Sequence, residues 1–236
     1  MAKNIKKRSA SHIYFGVNKL TGELKHISEV PSGQKCNCIC AACLQPFEAR
    51  KGTRRRHHFA HVSNYECMYA SEVAIYKAIA EALKQSGFLT LPPVMLRFPA
   101  WHDPELLQEA RRLKIDSVAF ECEPLSYPPL LRVTMQGTPL RILLDFDRYY
   151  DDDDRVELAE EAKVEDYSLL LISMPKIEQD TEFTPDRLQS ALQDNDRTEW
   201  VFSRLEEQWK QKYYAVAVSP PEHGTGNLCP ISFGKY

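Results

Sequence analysis

Between residues 36 and 67 the chain gathers five of its seven cysteines, Cys36, Cys38, Cys40, Cys43 and Cys67, beside the histidines of a His58-Phe59-Ala60-His61 run. No other feature of the sequence restricts the fold as strongly. A segment this short cannot build a core of its own, whereas a bound metal turns its binding free energy into folding free energy. Zinc takes four thiolate or imidazole ligands in a tetrahedron, and a C-x-x-C knuckle supplies two of them with little backbone strain. Cys40-Ala41-Ala42-Cys43 is such a knuckle, and Cys-x2-Cys-x17-His-x5-Cys, ending at Cys67, offers a three-cysteine, one-histidine site. The candidate ligands are therefore Cys40, Cys43, His61 and Cys67. Cys38 and His58 stand as alternates, and Cys36 is a further spare thiol. A full set of protein ligands leaves no open position for water, which makes a zinc here structural rather than catalytic.

The remaining cysteines, Cys122 and Cys229, stand alone. A secreted disulfide scaffold spreads its cysteines and carries an export signal. The basic start MAKNIKKRSASH lacks the apolar stretch of such a signal. No apolar run reaches the roughly 18 to 20 residues of a membrane span. A cytoplasmic protein with no membrane partner is the expectation. With 236 residues, 43% hydrophobic and 27% charged, the chain is long enough for a sizeable core.

The net charge of −3 conceals a division. Residues 1 to 66 carry 12 Lys+Arg against 4 Asp+Glu, and the rest carries 18 against 29. A basic metal-binding module followed by an acidic domain is the first picture. The basic part, with Lys51 and the Arg54-Arg55-Arg56 run, suits nucleic acid, while the acidic part favours a protein partner.

Local patterns fill in the rest. HIYFGVNKLTGELKHISEV reads as two strands about a Thr21-Gly22 turn. Residues 70 to 86 form the clearest helix, with Ser71 as N-cap and Gly87 as stop. Strand-like runs follow at 114 to 123, 130 to 135, 140 to 147 and 168 to 174, with Gln136 to Pro139 as a hairpin turn. DRVELAEEAK is a helix between the last two runs, and the aspartates 151 to 154 before it read as a solvated turn. Residues 185 to 209 are helix-rich, with Trp200, Phe202 and Trp209 on one helix, and YYAVAV reads as a terminal strand. The fold class is α+β: a zinc-binding module over residues 1–69, then an α/β sheet domain over 70–236.

The run CNCICAACLQPFEARKG, then HHFAH, a cysteine, and Ser-Glu at the head of a lysine-bearing helix resembles the CoiA-like competence-protein family. Cys38, Cys40, Cys43, Gly52, His58, Phe59, His61, Cys67, Ser71, Glu72 and Lys77 carry the match in order. It covers roughly residues 34 to 84, is only topological from 114 to 174, and does not extend to the last sixty residues. The resemblance implies a zinc module joined to a PD-(D/E)xK, restriction-endonuclease-like mixed sheet flanked by helices. In such nucleases a strand acid, an E-x-K triplet and often a helix glutamate hold a divalent metal that activates water at a phosphate. Here Glu72 takes the helix place, Leu131-Arg132 stands where the strand acid belongs, and Asp145-Phe146-Asp147 stands where E-x-K belongs. Asp116 is the substitute acid, and Glu161-Ala162-Lys163 lies in the helix after the sheet as surface charge. The expectation is a degenerate nuclease fold acting as a non-catalytic nucleic-acid- or protein-binding component. The alternatives are an Mg²⁺-dependent DNA nuclease using Glu72, Asp116, Asp145 and Asp147, or a structural subunit of an assembly.

Overall fold

Asn18 fixes the first turn: its side-chain oxygen accepts from the backbone N–H groups of Leu20 (2.9 Å) and Thr21 (3.1 Å), and Gly22 takes a φ of 72°. The turn joins β1 (Phe15–Asn18) to β2 (Leu24–His26), and β3 (Cys38–Ile39) pairs antiparallel with the other edge of β1. A separate hairpin follows, β4 (Phe47–Arg50) with β5 (His58–His61). These elements come from a computed structural model that describes residues 12–63, 67–97, 103–122, 128–146, 150–174 and 182–218.

Helix α1 (Ala70–Ser86) ends at Gly87, which adopts the left-handed conformation (φ 65°) and returns its N–H to the Leu83 carbonyl, as expected. Its start differs from expectation. Tyr69 is the N-cap residue and Ser71 lies inside the first turn, where its hydroxyl donates to the His12 carbonyl at 3.3 Å. Ser71 therefore ties the helix to the N-terminal segment instead of capping it. α1 is buried on most of its circumference, including Val73, Ile75, Tyr76, Ile79 and Leu83. A helix apolar on so many sides belongs inside the molecule. One continuous core joins Phe15, Phe47 and Phe59 of the N-terminal part through α1 to Leu131, Ile142 and Leu144. The core does not stop at residue 69.

After α1 the chain runs out and back as a nested arm: β6 (Phe88–Leu91), β7 (Val94–Leu96), β8 (Glu105–Gln108) and β9 (Arg111–Lys114), with β6 paired to β9 and β7 to β8. The main sheet follows, in the order β10 (Ser117–Glu121), β11 (Leu130–Met135), β12 (Thr138–Phe146), β13 (Ser168–Met174), β14 (Thr198–Phe202). Its first three strands form an antiparallel meander, β12 and β13 are parallel, and β14 is antiparallel to β13. A parallel neighbour requires a crossover, supplied by α2 (Asp152–Val164). Leu140, Ile142, Leu144 and Phe146 of β12 join the core around α1 and α3 (Pro185–Ala191), while Leu143 joins Tyr167 and Ala162 on the α2 side. The sheet is thus mixed and has helices on both faces.

Several sequence readings change. Trp200 and Phe202 lie on β14 rather than on a helix with Trp209, and YYAVAV continues α4 (Arg204–Val218) instead of forming a strand. Glu206 and Glu207 open that helix, and propagation through Val residues costs less than starting a new element. The aspartate run is no solvated turn: Asp151 is the N-cap of α2, with reciprocal bonds between Asp151 and Asp154 (2.9 and 3.3 Å). Its negative charges meet the positive end of the helix dipole. Asp116 lies in the bend before β10, not on the strand.

Beyond Ile142 strand β12 outruns its β11 partner, and the buried Leu144 N–H donates instead to the Tyr76 hydroxyl at 2.8 Å. Tyr76→Phe strands that donor, which costs about 1 to 3 kcal/mol and lowers the urea midpoint at constant slope. A second expectation concerns His26, whose imidazole burial pushes below its usual value of 6.5. The folded state then favours the neutral ring, so its stabilising effect is present above 6.5 and lost as pH falls through the lower folded value. His26→Asn retains an acceptor for the Ser28 N–H. Its thermal midpoint will fall less than that of wild type between about pH 7.5 and about 5.

Candidate metal centre

The knuckle folds as its spacing demands. Cys40 accepts from the Ala42 N–H at its sulfur (3.4 Å) and from the Leu44 N–H at its carbonyl (3.1 Å), while its own N–H reaches the Gln45 carbonyl (2.9 Å). Leu44 closes the turn in the left-handed conformation, φ 61°. This loop presents Cys40 and Cys43 together. The β4–β5 hairpin delivers His61: strand alternation turns Phe59 and His61 inward and leaves His58 on the other face. Cys67 arrives from the turn that opens α1, where its carbonyl accepts from the Ala70 N–H at 3.3 Å.

The ligand atoms of Cys40, Cys43, His61 and Cys67 all lie within 4.8 Å of one another, and Cys43 Sγ is 3.2 Å from His61 Nε2. A tetrahedral zinc with sulfur at roughly 2.3 Å spaces its ligand atoms by about 3.8 Å. The donor set and its closure therefore fit such an ion, and these four residues can hold a metal. The alternates do not join them. Cys38 Sγ donates to the Cys36 carbonyl (3.2 Å), Cys36 Sγ donates to the Phe47 carbonyl (3.4 Å), and both thiols are buried in the core. The His58 ring nitrogen Nδ1 meets the Arg56 carbonyl at 2.9 Å.

Without a bound cation the three thiols share protons unequally. The Cys40 thiol donates to Cys67, and that bond brings Cys67 down to about 6 while pushing Cys40 upward. Burial raises the Cys43 thiol and lowers the His61 imidazole, keeping the ring in the neutral form that ligates. Nothing in the residue types announces the Leu44 turn, since leucine rarely adopts positive φ. The sequence alone does not reveal it.

The carboxylates named for a nuclease centre are distributed differently. Glu72 is 3% exposed in the first turn of α1, where it weakly opposes the lowering of Cys67 by the Cys40 bond. Asp145 is also buried, but its neighbours Leu144 and Phe146 both belong to the core around α1. Strand alternation therefore turns Asp145 to the α2 face, away from Glu72. Asp116 accepts from the Gly137 N–H at 3.0 Å, beside the start of β12. Eight residues of strand, on the order of 25 Å, separate that end from Asp145. Asp147 lies outside the described residues. Arg132, on β11, is exposed and paired with Glu121. Glu161 and Lys163 are surface charges on α2, bonded to Arg141 (3.1 Å) and Glu207 (2.9 Å).

Of the basic residues, Lys51 turns inward and donates to the Ser28 (3.3 Å) and Val30 carbonyls. Arg54, Arg55 and Arg56 are exposed on the β4–β5 loop, which with Arg50, Thr53 and His58 lines a cavity of about 400 Å³. Arg56 also meets Glu182 at 3.8 Å. No helix among the described residues is long and apolar enough to cross a membrane. Compared with known proteins, the chain matches no family model and no curated sequence.

The purified protein is expected to carry about one zinc per chain by elemental analysis. Cys43→Ser loses it together with much of the thermal stability, whereas Cys38→Ser and His58→Ala retain it.

Proposed function

We propose that the chain is a CoiA-like factor in which a structural zinc holds a basic module on a degenerate, restriction-endonuclease-like domain, and that it binds nucleic acid without cutting it. The observation that carries this reading is the separation of the carboxylates. Phosphoryl chemistry of the nuclease type needs acids that converge on one divalent ion. Strand alternation puts Asp145 on the α2 side of the sheet, whereas Glu72 belongs to α1 on the other side, and Asp116 accepts from the β11–β12 turn. Zinc at Cys40, Cys43, His61 and Cys67 would supply folding energy and no open coordination position.

Two further features support binding. The mixed sheet with helices on both faces agrees with the architecture that the resemblance implies. The arginine loop is the tip of the β4–β5 hairpin, whose opposite end carries the candidate ligand His61 paired with Phe47, so the exposed cations are displayed from a paired base. Lys51, bonded to main-chain carbonyls, holds the loop's root instead of contacting a ligand.

The test combines binding and cleavage. Wild type should bind a labelled oligonucleotide with salt-dependent affinity, and the Arg54/Arg55/Arg56→Ala variant should lower the salt slope by about 2 to 3. Plasmid and single-stranded DNA should stay intact with Mg²⁺ or Mn²⁺. Metal-dependent cutting abolished by Asp145→Ala would establish the nuclease instead. Absence of any salt-sensitive binding would leave a protein partner.

A further inference from the structure

Away from the arginine loop, the β6–β9 ladder presents a second surface of distinctive chemistry. Phe88 pairs with Lys114 and Thr90 with Arg112, whereas Leu89 pairs with Leu113. Directly opposed residues share a face of the ladder, and alternate positions along a strand return to it. One face therefore carries Leu89 and Leu91, both buried in the core, and the other carries Phe88, Thr90, Arg112 and Lys114. Burial of the first face holds the second in place.

That second face is open to solvent. Phe88 is 43% exposed, and the Arg112 guanidinium lies 4.6 Å from its ring centroid. Most other arginines of the sheet domain are neutralised: Arg97, Arg132, Arg141, Arg155, Arg197 and Arg204 each meet a carboxylate. Among the described residues, neither Arg112 nor Lys114 forms an ion pair. An aromatic ring with a stacked guanidinium and unneutralised cations offers what a single strand requires: a flat surface for a base and positive charge for its phosphates. A duplex keeps its base faces stacked and has no use for the ring. An acidic peptide would use the cations but leave Phe88 unmatched.

We infer that this face binds single-stranded nucleic acid, with a base stacked on the Phe88–Arg112 pair and phosphate held by Lys114. The inference rests on the nucleic-acid-binding reading above and locates a contact surface separate in sequence from the Arg54–Arg56 loop. Phe88 acts through its ring and Lys114 through its charge, so the two contribute in different ways to the salt dependence.

Fluorescence anisotropy of the full chain on labelled oligo-dT and oligo-U of about 20 nucleotides, and on a duplex of equal length, tests it. Single strands should bind more tightly than the duplex. Phe88→Ala should weaken single-strand binding roughly five- to a hundredfold with little change in salt slope, and Phe88→Trp should restore it. Lys114→Ala should lower the slope by about 1. Circular dichroism and the thermal midpoint confirm that each variant is folded. Wild-type-like single-strand binding by folded Phe88→Ala and Arg112→Ala overturns the inference. If the arginine-loop variant then loses that binding, the function proposed above survives. A duplex bound more tightly than either single strand also overturns the inference, and a wild type that binds no nucleic acid overturns both readings.

Discussion

The convergence of Cys40, Cys43, His61 and Cys67 is the constraint on which the placement of the other elements depends. Three segments supply these ligands: a knuckle after β3, the end of β5, and the turn into α1. Holding them at one point fixes where α1 begins. α1 then runs through the centre of the molecule, and Tyr76 on its second turn satisfies a main-chain donor of β12 that no strand reaches. A local ligand set therefore governs a contact 68 residues along the chain. The surrounding packing is tight as well. A Cβ at Gly16 would approach Cys38 to 3.1 Å and Phe47 to 3.2 Å, so a side chain there would press neighbours in the module aside by a few tenths of an ångström. The ligand cluster and the close packing occupy the same small volume, and the short segment is part of the continuous core.

What the sequence made legible follows from how local each signal is. Ligand chemistry is carried by residue type and spacing, so the four residues that the structure gathers could be named from the chain. Cys38 and His58 remained as alternates because spacing says nothing about which way a side chain points. Strand alternation in β5 and the Cys36 carbonyl decide that point, and both belong to the tertiary structure. The runs 130 to 135 and 168 to 174 coincide with strands because the first alternates buried with more exposed residues and the second is almost wholly buried and apolar. The nested arm from β6 to β9 had no such signal. Its strands are three or four residues long and mix charge with apolar residues, and the arm is tied to the sheet domain by Trp200 donating to the Pro92 carbonyl and by Glu206 accepting from the Arg97 N–H. Those partners lie more than a hundred residues away in sequence. YYAVAV misled for the converse reason, since its β-branched residues are carried along by a helix already under way.

The acidic excess of the second part is largely absorbed by architecture. Asp151 and Asp154 cap α2, Asp116 braces the β11–β12 turn, and Glu161 with Glu165 clamps Arg141 over the Tyr167 ring. Glu199 and Glu207 bind Arg155 and Lys163 of α2. Carboxylates used as caps and ion-pair partners cannot also gather at one cation, and the sheet geometry keeps them apart.

The same charge distribution limits how a polyanion can approach. With a net charge of −3, the molecule has no long-range attraction for phosphate. Screening restricts each charge to about 8 Å at physiological ionic strength, so basic residues act only where they touch. The arginine loop and the β6–β9 ladder differ under that condition. Three long side chains on a loop lose rotamer freedom when they order against phosphate, and their gain is mostly electrostatic. On the ladder the backbone is already fixed, with Leu89 and Leu91 anchored beneath and Arg112 already resting on Phe88. Less entropy remains to be lost there, and stacking survives at salt concentrations that screen the loop. On this reading the loop sets how salt-sensitive binding is, and the ladder sets whether the bound strand must offer an unpaired base.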